Sequence, residues 1–71
     1  MSDEPAQVGD MLLHGIDNDI GIVTVVDKGG RDVLVYWFGA QKTYNYYINT
    51  PVYQQARKNW TEAQKRYIKD K

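Results

Sequence analysis

The chain has 71 residues, no cysteine and one histidine, His14; this length supports one domain with a modest core, and the lack of thiols removes disulfide and thiolate chemistry. Acidic and basic side chains balance to a net charge of zero, which disfavours a protein that holds nucleic acid by its overall field. No apolar run approaches the roughly 20 residues that cross a bilayer, and no basic segment followed by an apolar one opens the chain, so an intracellular, cytoplasmic protein away from membranes is expected.

Residues 1–7 are small, acidic and interrupted by Pro5, and they read as a flexible arm before a β module over residues 8–49. Gly9-Asp10 suits a turn or bulge. After it, Met11 and Leu13 alternate with Leu12 and His14 in a short first strand. Gly15 to Asp19 is a loop by composition, because Gly, Asp and Asn tolerate positive φ or bond their own backbone. Ile20 to Val26 is a β-branched strand whose pattern asks for cover on both faces. Asp27-Lys28-Gly29-Gly30-Arg31-Asp32 then reverses the chain, so that residues 20–26 pair with 33–38. In the second run Val33, Val35 and Trp37 share one face, and Leu34, Tyr36 and Phe38 the other. Gly39 to Lys42 turns again, and Tyr44 to Ile48 supplies a fourth strand with Tyr44, Tyr46 and Ile48 on one side. Val23, Val25, Val33, Val35, Trp37, Tyr44, Tyr46 and Ile48 are the expected framework, because a small domain needs most of its large side chains inside.

At Thr50 the period changes. Thr50-Pro51 matches a helix start, and Val52, Ala56, Trp60, Ala63 and Tyr67 are spaced 4, 4, 3 and 4 residues apart, within an arc of about 80°. Thr61 and Gln64 match a capping box that would split the segment near Asn59. The apolar stripe crosses that point in phase and favours one helical segment over residues 50–71, packed on the module. Laid against the outside of a barrel wall, such a helix would cover Tyr36 and Phe38.

Two surfaces stand out as candidates for function. Residues 1–40 carry seven acidic and two basic side chains and residues 41–71 two acidic and seven basic, a division of −5 against +5. Lys58, Lys65 and Lys69 fall almost opposite the apolar stripe, with Arg57 and Arg66 further round; together with Lys42 they could engage phosphates in a salt-sensitive way, or form an ordinary solvated face. The aromatic residues Tyr36, Phe38, Tyr47 and Tyr53 could stack bases or pack on a peptide, or else complete the core. Catalytic signals are weak. Asp17 and Asp19, with Asp10 or Asp27, lack the ligand pattern of a calcium loop, and His14 has no second histidine or cysteine with which to hold a metal. Gly29-Gly30 lacks the third glycine and following helix of a dinucleotide site, and Ser2 is the single serine. No catalytic, cofactor or metal site is expected.

Val8-Gly9-Asp10-Met11, then Gly21-Ile22-Val23-Thr24-Val25-Val26, then Val33-Leu34-Val35-Tyr36-Trp37-Phe38-Gly39 followed by Tyr44, resembles the SH3-like barrel superfamily, especially its Tudor-like small modules, over about 40 residues. The compact, tyrosine-rich format also resembles small uncharacterised bacteriophage proteins, which would place it in a host cytoplasm. The superfamily resemblance implies an SH3-like small antiparallel barrel or curved sheet; with the helix read from the residue spacing packed on it, the expected fold is mainly β with a C-terminal α segment. By the same resemblance Trp37, Phe38 and Tyr44 would supply aromatic cage positions, with an acidic companion from Asp17 and Asp19. The chain departs from the pattern after Ile48, where a helix replaces the fifth strand and leaves the helix itself or another copy to close the open side. The expected function is that of a noncatalytic interaction or adaptor protein that binds a protein or itself, through candidates Tyr36, Trp37, Phe38, Tyr44, Tyr47 and Tyr53. The alternative is sequence-insensitive nucleic-acid binding by the basic helix.

Overall fold

The computed structural model describes residues 5–69, with side chains described through Gln64. The expectations for residues 1–4 and for the side chains of Lys65, Arg66, Tyr67 and Lys69 fall outside the described residues. Strands β1 (Met11–Leu13), β2 (Ile20–Val26), β3 (Asp32–Trp37) and β4 (Lys42–Tyr47) are followed by one helix, α1 (Pro51–Lys69). The strands form an antiparallel meander in the order β1-β2-β3-β4.

The sheet does not close into a barrel. Its edges, β1 and β4, pair with one neighbour each, and the chain that would supply a closing strand is instead helical from Pro51. β1 has three residues, too few to reach round to β4. Packing also starts earlier than the expected arm allows: Ala6 is buried in the core, and Gly9 donates to the Val23 carbonyl while Val23 donates to that of Asp10, extending the β1–β2 pairing backwards.

The β2–β3 hairpin has the expected partners, from Gly21 opposite Trp37 to Val26 opposite Val33. Gly30 takes a φ of 72° at its tip, where a side chain would be strained. The Asp27 carboxylate accepts the Arg31 and Asp32 amides at 2.9 and 3.2 Å, and the Asp27 amide donates back to the Asp32 carbonyl. These bonds, that from Asp32 foremost, hold the Asp27 carboxyl below its ordinary pKa. A bulge at Thr24 interrupts the ladder, since Val23 faces Val35 and Val25 faces Leu34. The Thr24 hydroxyl donates to the Leu34 carbonyl across the gap. The extra residue inverts the alternation, so Val26 packs on the core and Val25, expected inside, is 49% exposed on the opposite face.

The core lies between the inner sheet face and α1. Leu12, Val23, Val33, Val35 and Trp37 are buried there against Tyr53 and Ala56, each full-sized aliphatic side chain contributing about 1.5–3 kcal/mol. Gly21 lies so close under Trp37 that a Cβ would come within 2.7 Å of the indole. Trp37 Nε1 donates to the Tyr46 hydroxyl at 3.1 Å, and the Tyr46 ring stacks on Tyr53 with centroids 6.5 Å apart. Tyr44, expected in the framework, stands on the same face but is exposed, because β4 is an edge and α1 packs closest to β1.

Helix α1 begins at Pro51 as expected, and the Gln54 side chain donates to the Ile48 carbonyl just before it. Its buried stripe is rotated from the expected one. Tyr53 and Ala56 are sealed, Trp60 and Ala63 are half-buried, and Val52 is exposed. The Thr61 hydroxyl donates to the carbonyl of Arg57 one turn back, so it serves a continuous helix and caps no new one. The Asn59 side chain donates through Nδ2 to the Leu13 carbonyl and ties the helix to β1.

Candidate interaction surface

Because α1 covers the Val33, Val35 and Trp37 side of the sheet, it leaves the Tyr36 and Phe38 side open, the reverse of the cover expected from sequence. The register builds that outer face row by row. Met11, Ile22, Tyr36 and Thr43 are neighbours across the four strands; Leu13 pairs with Ile20, beside Phe38; and Val25, Leu34 and Asn45 form the next row. Tyr36 and Phe38 meet edge to face with centroids 5.3 Å apart. Ile20, Val25 and Phe38 are exposed, while Met11, Ile22, Leu34 and Tyr36 are half-buried by their neighbours in the sheet. The rows carry no charged side chain until Asp32 and Tyr47 at the hairpin end. A contiguous apolar sheet face with a polar margin of Thr43 and Asn45 is a surface suited to packing against another protein.

The sequence-derived candidates divide between the two faces. Tyr36, Phe38 and Tyr47 belong to the outer face, and Tyr44 lies exposed at the β4 margin of the inner one. Trp37 and Tyr53 are 4% and 1% exposed and belong to the core, so neither ring offers a contact surface. Trp37 and Phe38 point to opposite sides of β3, and the arrangement does not bring Trp37, Phe38 and Tyr44 together as one cage. The acidic residues expected beside such a cage are engaged in turns. Asp19 accepts the Gly39 and Ala40 amides at 2.7 and 3.1 Å, clamping the β3–β4 connection to the loop after β1. Asp17 accepts from the Asp19 amide and lies 3.0 Å from His14 Nδ1; the amide bond first, then His14, holds its carboxyl below the ordinary value. Among the described residues, no three His, Asp or Glu side chains converge as metal ligands.

Of the basic candidates with described side chains, Lys58 is exposed on α1, Arg57 is half-buried, and Lys42 stands on β4, at the opposite edge from the strand on which the helix packs. Lys58 shares with Glu62 a cleft of about 420 Å³ between α1 and the loop after β1, which lowers the local positive field. A smaller cleft of about 330 Å³ lies beside it, lined by His14, Ile16, Val52 and Ala56 among others, with Ile16 90% exposed. Sequence reasoning missed Ile20, Ile22, Val25 and Leu34 as surface residues. The signal was present in the two-sided apolar pattern of β2 and β3, for which a single helix can cover one side alone. No protein family matches the chain, and neither does any curated protein or solved structure. No helix among the described residues is long and apolar enough to cross a membrane.

Proposed function

We propose that the protein is a noncatalytic interaction module, SH3-like in its succession of strands, that docks a protein on the outer face of its sheet. The supporting observation is the apolar field of Ile20, Ile22, Val25, Leu34, Tyr36 and Phe38, which no segment among the described residues covers. The cost of leaving such a surface in water is recovered when a partner's apolar side chains displace that water. The edge-to-face pair of Tyr36 and Phe38 is the natural anchor, since large rings dominate the energy of protein contacts and are already held by each other before binding. The open sheet and the division of the aromatics between two faces favour an extended apolar partner over a single cation held in a cage. The carboxylates of Asp17 and Asp19 and the ring of His14 serve local turns rather than chemistry.

The experiment is affinity capture from the native host with wild type beside a Val25→Lys/Phe38→Lys double variant, both residues being exposed and outside the core. A stoichiometric protein recovered by wild type and lost with the variant is the expected result. Equal recovery by both would remove the outer face from consideration. Binding to single-stranded or duplex nucleic acid that weakens as salt rises from about 50 mM, and is unchanged in the double variant, would instead favour the basic helix.

A further inference from the structure

We infer that the free edge of β4 pairs with the β4 of a second copy, making one continuous sheet from two chains. The two sheet edges are treated differently by the fold. β1 is three residues long and lies under α1, tied to it by the Asn59–Leu13 bond. β4 is six residues long, pairs among the described residues only with β3, and contains no proline, no glycine, no bulge and one charged residue, Lys42, at its beginning. Edges in monomeric proteins are usually protected by such devices, and β4 has little beyond that lysine. Its Thr43-Tyr44-Asn45-Tyr46-Tyr47 run is rich in residues that suit a pleated surface.

The hydrogen-bond pattern fixes which backbone groups of β4 face the free edge. Ile48 donates to the Arg31 carbonyl, and the β3–β4 register runs from Asp32 opposite Tyr47 to Trp37 opposite Lys42. Antiparallel alternation then commits the backbone groups of Tyr44 and Tyr46 to β3 and turns those of Thr43, Asn45 and Tyr47 outwards. A two-fold axis through Asn45 sets Asn45 opposite its own copy and Thr43 opposite Tyr47. The Tyr47 carbonyl already accepts the Thr50 amide. The available bonds are therefore the mutual pair at Asn45 and one from each Tyr47 amide to the Thr43 carbonyl of the second copy. The same register lays exposed Tyr44 of each chain beside Tyr46 of the other, and it places Lys42 opposite Ile48, so no like charges meet. The net charge of zero adds no repulsion between copies. Because the axis is normal to the sheet, the two outer faces come to lie side by side on one surface. This pairing uses backbone groups at the edge and does not depend on what docks on the outer face.

Asn45→Pro tests it with little damage to the fold, since the lost amide faces away from β3 and bonds to none of the described residues. Sedimentation over about 10 μM to 1 mM is expected to show wild type passing from monomer to dimer, and Asn45→Pro weakened roughly tenfold or more. The Val25→Lys/Phe38→Lys variant is expected to dimerise as wild type does. Should Asn45→Pro fail to fold, hydrogen exchange on wild type carries the test: the Asn45 and Tyr47 amides should gain protection as concentration rises. A wild-type monomer at 1 mM with those amides exchanging freely would overturn the inference. So would a dimer that survives Asn45→Pro and is lost with Val25→Lys/Phe38→Lys, which would place self-association on the outer face.

Discussion

Tyr53 shows how one side chain can carry much of a small core while leaving a cost unpaid. Its ring stacks on Tyr46 and is sealed, yet its hydroxyl has no hydrogen-bond partner among the described residues. Burial pushes the phenol pKa up, because an ionised oxygen would be stranded away from water. Tyr53→Phe keeps the ring and removes the orphaned donor, so urea unfolding should show stability unchanged or raised by about 1 kcal/mol. Tyr53→Ala should lower it by about 3–5 kcal/mol. A loss of more than about 1 kcal/mol in the phenylalanine variant would mean that the hydroxyl is satisfied in solution. Helical spacing puts Val52 in the apolar stripe and leaves Tyr53 out of it. The rotation that brings Tyr53 inwards follows from its stacking on Tyr46 across the chain, a contact that helical periodicity cannot register.

The β2–β3 hairpin is the element that was most legible in the sequence. Two valine-rich runs around adjacent glycines specified the pairing, and alternation specified Val33, Val35 and Trp37 as one face. The Thr24 bulge was not legible, because an extra residue leaves no mark in a run where nearly every position is β-branched. Plain alternation therefore puts Val25 inwards, whereas the bulge turns it outside. Asp27 gives this hairpin a pH dependence. Its folded-state pKa lies below the ordinary value near 3.9, so its contribution is complete above that value and is lost as pH falls through the lower folded pKa. Thermal unfolding of wild type and Asp27→Ala should therefore differ most at pH 6 and converge towards pH 3 and below. Parallel curves over that range would show that the side chain does not hold the turn through its charge.

The whole molecule is a two-layer structure in which one layer is covered on one side. Composition and alternation made the β module and the C-terminal helix readable, and the absence of a fifth strand was equally plain after Ile48. Which side the helix would cover was not, since both faces of β3 are apolar and the choice depends on the connection from Ile48 to Pro51 and on the Asn59 tie to β1. That choice turns Trp37 into core and leaves Tyr36 and Phe38 uncovered by the helix. Methyl and aromatic chemical-shift mapping with the partner recovered by affinity capture tests the docking claim most directly. The expected result is perturbation concentrated on Ile20, Ile22, Val25, Leu34, Tyr36 and Phe38, with Arg57 and Lys58 little affected; perturbation confined to the helix, with the outer-face signals unmoved, would contradict it.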